Sequence, residues 1–301
     1  EYILFKTKSR GRDYLKKRST QSNGECWGKL IFLKGAMMKK LLWAISLYCL
    51  SSLAQAAVLG KEVSYQANGV TLKGYIVYDD AIKGKRPGVL VVHEWWGQNE
   101  YARTRARMLA ELGYTALAVD MYGEGKMADH PDEAGKFAAE VSKNMAMAKA
   151  RFEAGMQLLR KHETVDAKKI AAFGYCFGGS VVLNMARIGE DLKGVASFHG
   201  GLDTDHPAQP GIIKARIISF SGDADPMIGA DKVAAFKKEM DNAGANYRVV
   251  TYPGAKHAFT NPAADELGKK FNIPLAYNAP ADKDSWEQAK AFLREIFADG
   301  Q

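Results

Sequence analysis

From residue 63 onward the chain alternates short, solid apolar runs with longer amphipathic stretches. Residues 63–78 alternate around Asn68-Gly69, which predicts a β-hairpin. Val89-Leu90-Val91-Val92 follows Pro87-Gly88 as a continuous apolar run, the signature of a strand buried on both faces. Residues 100–112 have helical spacing, with Ala102, Met108, Leu109 and Leu112 apolar and Gly113 as the cap. Tyr114 to Val119 is a second buried strand. Residues 132–162 predict a helix interrupted near Gly155. Ile170 to Tyr175 is a third strand, and residues 177–188 a helix. Val195 to Phe198 and Ile217 to Phe220 are short strands. Residues 230–243 are helical, Tyr247 to Tyr252 is a strand, and residues 284–298 form the last helix. Residues 260–283 lack clear periodicity and are expected to form a long loop. Solid apolar strands alternating with helices predict an α/β domain, with a mostly parallel sheet covered on both faces.

Composition changes this picture at one end. The chain has 301 residues, of which 47% are hydrophobic, with 9 Pro and 29 Gly. That excludes disordered, collagenous and disulfide-scaffold classes. The formal charge is +8, but the 11 Lys and Arg and 3 Asp and Glu of residues 1–56 account for all of it. The remainder is neutral, so no nucleic-acid partner is expected.

Residues 38–56 read MKKLLWAISLYCLSSLAQA. Lys39 and Lys40 form a basic head, Leu41 to Leu53 an apolar stretch, and Ala54-Gln55-Ala56 a small-residue cleavage site. This is the pattern of a secretory signal peptide, cleaved after Ala56. The apolar run is short for a membrane span. Tyr48 before Cys49 argues against a lipoprotein signal. The expected product is exported, periplasmic and free of the membrane after cleavage. Residues 1–36 precede Met37, are basic and aperiodic, and are expected to be a non-native or untranslated leader. The folded domain is then 57–301. Of the three cysteines, Cys26 falls in the leader and Cys49 in the signal, which leaves Cys176 alone.

Cys176 sits in Gly174-Tyr175-Cys176-Phe177-Gly178-Gly179, between the third strand and a helix. A nucleophile displayed on such a tight turn crowds the positions two before and two after it, here Gly174 and Gly178. The following helix points its amides and dipole at the site, which favours thiolate and a developing oxyanion. In an α/β-hydrolase the order is nucleophile, acid, histidine. Downstream, the strand 217–221 ends in Gly222-Asp223-Ala224-Asp225-Pro226, with two candidate acids. The next strand is followed by Lys256-His257-Ala258-Phe259. The three elements would meet along one sheet edge.

On these residues, and on His93-Glu94-Trp95-Trp96-Gly97 after an early strand, the chain resembles the dienelactone hydrolase family of the α/β-hydrolase fold, over roughly residues 60–298. The resemblance implies a Cys-His-Asp triad of Cys176, His257 and Asp225, the family's G-x-x-D spacing selecting Asp225 over Asp223. It implies a supporting Glu94 that helps keep the thiol unreactive until substrate arrives. Backbone N–H groups of Trp95 and Phe177 are the expected oxyanion hole. The implied activity is hydrolysis of a small ester or lactone through a thioester, by a monomer without cofactor. Two other classes stay open: a non-catalytic member of the fold that binds a small molecule or partner, and a thiol redox protein, although no second cysteine is present to resolve an oxidised one.

Other residues receive plainer readings. His93 is expected to be structural, and His130, His162 and His206 to lie at the surface or at caps. His199, after a strand end, could face the cleft. Trp96 and Tyr122, with Trp95, are expected to wall a substrate pocket. No histidine pair has metal-ligand spacing, so no metal is expected. Gly123 and Gly125 resemble a phosphate loop only weakly. The family holds a substrate carboxylate with arginines, one after the strand-end Asp-x-Tyr and one four residues past the histidine. Here Gly123-Glu124-Gly125 and Asn261 stand at those places, with Lys126 and Lys256 as alternative point charges.

Overall fold

In a computed structural model, residues 58–298 are described. The leader and signal readings, residues 1–36 and 37–56, lie outside the described residues. The described residues open with β1 (Val58–Ala67) and β2 (Val70–Asp79). They pair antiparallel with Ala67 opposite Val70. Asn68 and Gly69 both take positive φ, 48° and 79°, which suits a two-residue turn between twisted strands. The hairpin is longer than its alternating stretch suggested.

The body then repeats strand and helix: β3 (Arg86–Val92), α1 (Glu100–Glu111), β4 (Thr115–Val119), α2 (Pro131–Ser142), α3 (Met145–Lys161), β5 (Val165–Tyr175), α4 (Phe177–Arg187), β6 (Gly194–Phe198), β7 (Arg216–Gly222), α5 (Ala230–Ala243), β8 (Tyr247–Tyr252), α6 (Ala264–Phe271) and α7 (Ala279–Ala298). The sheet order is β1-β2-β4-β3-β5-β6-β7-β8. β2 joins β4 antiparallel, and from β4 to β8 every pairing is parallel.

Each central strand serves two cores through its alternating side chains. On one face Leu90, Val92, Leu117, Val119 and Ala172 meet α2 to α5 through residues such as Phe152, Val182 and Phe236. On the other, Val89, Val91, Ala118, Phe173 and Phe198 meet α1 and α7 through Leu109, Phe292 and Leu293. A fully buried Leu or Phe contributes roughly 1.5–3 kcal/mol, so the double burial explains the solid apolar runs. Among the described residues no helix is long and apolar enough to cross a membrane.

Two expectations need correction. The helical stretch 132–162 breaks at Lys143-Asn144, not near Gly155. The Asn144 side chain accepts the Met147 amide and starts α3. Gly155 lies inside α3, where a Cβ would come within 2.7 Å of Val119 on β4; its absence allows close helix–sheet packing. Residues 260–283 are not one loop, because they hold α6 and the start of α7.

The topology locates a crevice. From β3 the chain moves to one side to make β4 and then crosses to the other to make β5. The carboxyl ends of β3 and β5 therefore form a switch point, the usual ligand position in such sheets.

Candidate active site

Cys176 follows β5 at this switch point with φ 52° and ψ −116°, a strained conformation for a non-glycine residue. A Cβ at Gly174 would fall 2.0 Å from the Gly178 carbonyl oxygen, and one at Gly178 would fall 2.2 Å from that of Val92. The turn therefore closes only with glycine at both places. The Gly178 amide donates to His93 O at 3.1 Å, which ties the turn to the end of β3. Cys176 remains partly exposed at the head of α4.

His257, after β8, brings Nε2 within 3.0 Å of Cys176 Sγ. Its Nδ1 lies 2.7 Å from Asp225 Oδ2, beyond the end of β7. The other Asp225 oxygen accepts the Met227 amide at 2.8 Å, which orients the carboxylate. Burial opposes a charged imidazole, but the Cys176 sulfur and the hydrogen bonds to Asp225 and Cys176 outweigh it, pushing His257 up to about 10. Asp223 instead is exposed and accepts the Gly254 amide at 2.6 Å, a turn contact away from His257. The backbone of His257 pairs with Leu275, and its carbonyl accepts the Ala276 amide at 3.2 Å. The aperiodic segment thus anchors the histidine.

Glu94 is buried directly after β3. Its Oε2 accepts Asn261 Nδ2 at 2.6 Å, while its buried Oε1 has no partner. Burial raises the carboxyl to about 7, against the lowering pull of the Asn261 hydrogen bond and the His257 and Arg105 charges. No hydrogen bond joins Glu94 to Cys176, and the His257 charge acts on the Glu94 carboxyl. The Trp95 and Phe177 amides donate to no protein acceptor among the described residues.

A cavity of about 310 Å³ opens beside Cys176 and His257. Trp95, Phe177, Met227 and Ile228 supply much of its apolar lining. Trp96 and Tyr122, expected as pocket walls, do not line it. Trp96 is buried against Ala134, Ala258 and Leu275, next to Phe271. Tyr122 packs on His93 and Phe177 behind the cavity and donates its hydroxyl to Trp95 O at 3.0 Å. It braces the loop that carries the Trp95 amide.

The other histidines divide by partner. His93 is structural: Nε2 accepts the Met121 amide at 3.2 Å, and Nδ1 faces Glu94 O, which links β3 to β4. His130 caps α2, and His162 bonds Thr164. His199 is fully buried and does not face the cleft. Its Nδ1 accepts the Cys176 amide at 3.1 Å, and its Nε2 lies 2.7 Å from Thr260 Oγ1. Burial, together with the His257 and Arg105 charges, holds it well below the ordinary imidazole value.

Sequence reasoning missed the residues behind this contact. Thr260 Oγ1 lies 2.6 Å from the Tyr101 hydroxyl, and Arg105 donates to Tyr101, to the Thr260 carbonyl and to Asp282. This buried chain links α1 and α7 to the cysteine turn. Asp120 was also missed. Its two oxygens accept the amides of Tyr122, Gly123, Gly125 and Lys73 at 2.8–3.0 Å. The glycine loop therefore wraps an internal carboxylate, which occupies the amides a phosphate would need. A strand-end Asp followed by Gly-x-Gly was the available signal. Among the described residues no cluster of His, Cys, Asp or Glu is arranged to hold a metal ion.

A thiol, imidazole and carboxylate in line beside a small cavity are suited to acyl transfer. Comparison with known proteins identifies the family. The model of the dienelactone hydrolase family matches residues 72–297. The protein usf of Aquifex pyrophilus is 30% identical over 241 residues, covering 79% of this chain and 99% of its own. The solved structure of a dienelactone hydrolase-like promiscuous phosphotriesterase, P91, from metagenomic libraries is 32% identical with a TM-score of 0.74, covering 80% of this chain and 99% of that one. The solved structure of m3DLH is 33% identical with the same TM-score and coverage. An esterase of Thermogutta terrifontis, at 20% identity and a TM-score of 0.53 over 81% of this chain and 96% of its own, shares the fold. The chain therefore belongs to the dienelactone hydrolase family and is a hydrolase acting on ester or lactone bonds.

Proposed function

We propose that this protein hydrolyses a small carboxylic ester or lactone through Cys176 and a thioester intermediate. The observation that carries the reading is the Cys176 Sγ–His257 Nε2 approach of 3.0 Å, backed by the 2.7 Å contact of His257 with Asp225. His257 takes the thiol proton, Sγ attacks the carbonyl carbon, and the oxygen gains charge facing the Trp95 and Phe177 amides. The carbon–oxygen bond to the leaving group breaks, and His257 gives that oxygen a proton. Water then attacks the thioester, His257 takes its proton, and Sγ departs. Asp225 fixes the imidazole orientation and stabilises its charged form. Glu94 adjusts the field at His257 from behind.

We further propose that residues 38–56 direct export to the periplasm with cleavage after Ala56. N-terminal sequencing of the exported protein should begin at Ala57, and an earlier start would refute this.

The direct test of the chemistry is hydrolysis of p-nitrophenyl acetate by the wild type and by Cys176→Ala. The expected fall in kcat is at least about 10³-fold, on the scale of nucleophile removal in other acyl-transfer enzymes. Unchanged turnover in the variant would end the thiol mechanism.

A further inference from the structure

We infer that the substrate is uncharged, an ester or lactone whose acyl side is apolar and carries no carboxylate. This rests on the thiol-hydrolase reading and narrows it. Among the described residues lining the cavity beside Cys176, the charged groups besides the His257 imidazole are Asp203 and Lys232. These two are paired at 3.1 Å, so a substrate carboxylate would have to compete with Asp203 for the lysine. Lys126 faces Glu124 at 3.8 Å, and neither Lys126 nor Lys256 lines the cavity.

The buried arginines nearby are committed elsewhere. Arg105 holds Asp282 and the Thr260 carbonyl. Arg187 holds Glu239 through two nitrogens at 2.9 Å. Arg151 donates to the Met121 carbonyl at 2.7 Å. Asn261 spends its amide nitrogen on Glu94.

A substrate carboxylate would therefore leave water for a cleft that offers no free guanidinium or ammonium. It would also approach Asp203, with Glu94 and Asp225 behind. Burying a charge without a partner is strongly unfavourable. An apolar acyl chain meets Trp95, Phe177, Met227 and Ile228 instead and gains from burial. About 310 Å³ sits at the small end of ligand cavities, which favours a short chain.

The test compares p-nitrophenyl hexanoate with mono-p-nitrophenyl adipate, the same six-carbon acyl chain ending in a carboxylate. Wild type should favour the hexanoate in kcat/KM by on the order of 10²-fold, the scale set by an unpaired charge. Asp203→Asn frees Lys232 and should narrow that ratio about 3–10-fold, chiefly through KM for the adipate, with the gain lost in high salt. Met227→Arg, at a half-exposed rim position, should move the ratio further in the same direction. Equal or better turnover of the adipate by the wild type would overturn the inference, as would a ratio that neither substitution moves. These outcomes leave the thiol mechanism intact provided Cys176→Ala abolishes turnover. Turnover of both esters that persists in Cys176→Ala, or no turnover of either, overturns the mechanism and the inference with it.

Discussion

His257 and His199 are both buried, with ring centroids 5.4 Å apart, yet they sit at opposite ends of the imidazole range. Burial works against the charged form of each. His257 faces a carboxylate and a sulfur, and these overcome the burial. His199 accepts a backbone amide at Nδ1 and lies near the positive charges of His257 and Arg105, which oppose a proton as burial does, and it stays neutral. Neighbours, more than depth, decide which histidine can carry a proton through a reaction. The neutral one offers a fixed acceptor to the amide of the nucleophile itself.

The comparison breaks most severely if its carboxylate is removed. Asp225→Asn should cost about 10³–10⁴-fold in kcat/KM by analogy with other triads. It should also lower the His257 pKa, read from the imidazole proton shifts in an NMR titration. An unchanged titration would mean that Asp225 is not what lifts His257.

Glu94 sharpens the comparison from the acid side. Its pKa in the fold, about 7, lies above the ordinary 4.5, so it favours folding below pH 4.5 and that advantage disappears as pH rises through 7. Glu94→Gln keeps an acceptor for Asn261 and cannot ionise. Relative to wild type, the variant should therefore gain stability between pH 5 and 8, by up to about 3 kcal/mol from a shift of this size. Urea unfolding of both proteins across that range measures it. A difference that does not vary with pH would show Glu94 to titrate normally.

His199→Leu removes one of the two acceptors of the Cys176 amide, which also donates to the Phe198 carbonyl at 2.9 Å, and should lower kcat by up to about tenfold, with KM little changed, on the scale of one lost buried hydrogen bond. His199→Asn presents an oxygen near the position of Nδ1 and should recover most of that loss. Equal loss in both variants would reduce the role of His199 to packing. The smallest effect is expected for Asp223→Asn, within about twofold in kcat/KM, because its contact is an exposed turn. A large loss there would reassign the acid.

The parallel sheet was readable because every central strand is buried twice, and so appears as an unbroken apolar run. Helix α6 was not, because its buried positions include Ala264 and Gly268, which leave little apolar stripe. Cys176 and His257 stood out by residue type and position, and Asp225 was separated from Asp223 by the family's spacing. The pairing of Glu94 with Asn261, and the Arg105–Asp282–Thr260 chain, join ordinary residues more than 150 positions apart. No local pattern records such partners; only the folded chain brings them together. The break at Asn144 was missed because a single capping side chain outweighed the helical composition on either side.

The two glycines flanking Cys176 meet carbonyl oxygens of the main chain, not the movable tip of a side chain. That obstacle is the same whatever residue occupies position 176. A copy that had lost its thiol and its activity would still need Gly174 and Gly178 in order to fold. The glycine spacing is therefore a marker of architecture, and a search that relies on it will collect inert descendants together with working enzymes. Occupancy of position 176, and the histidine facing it, tell the two apart.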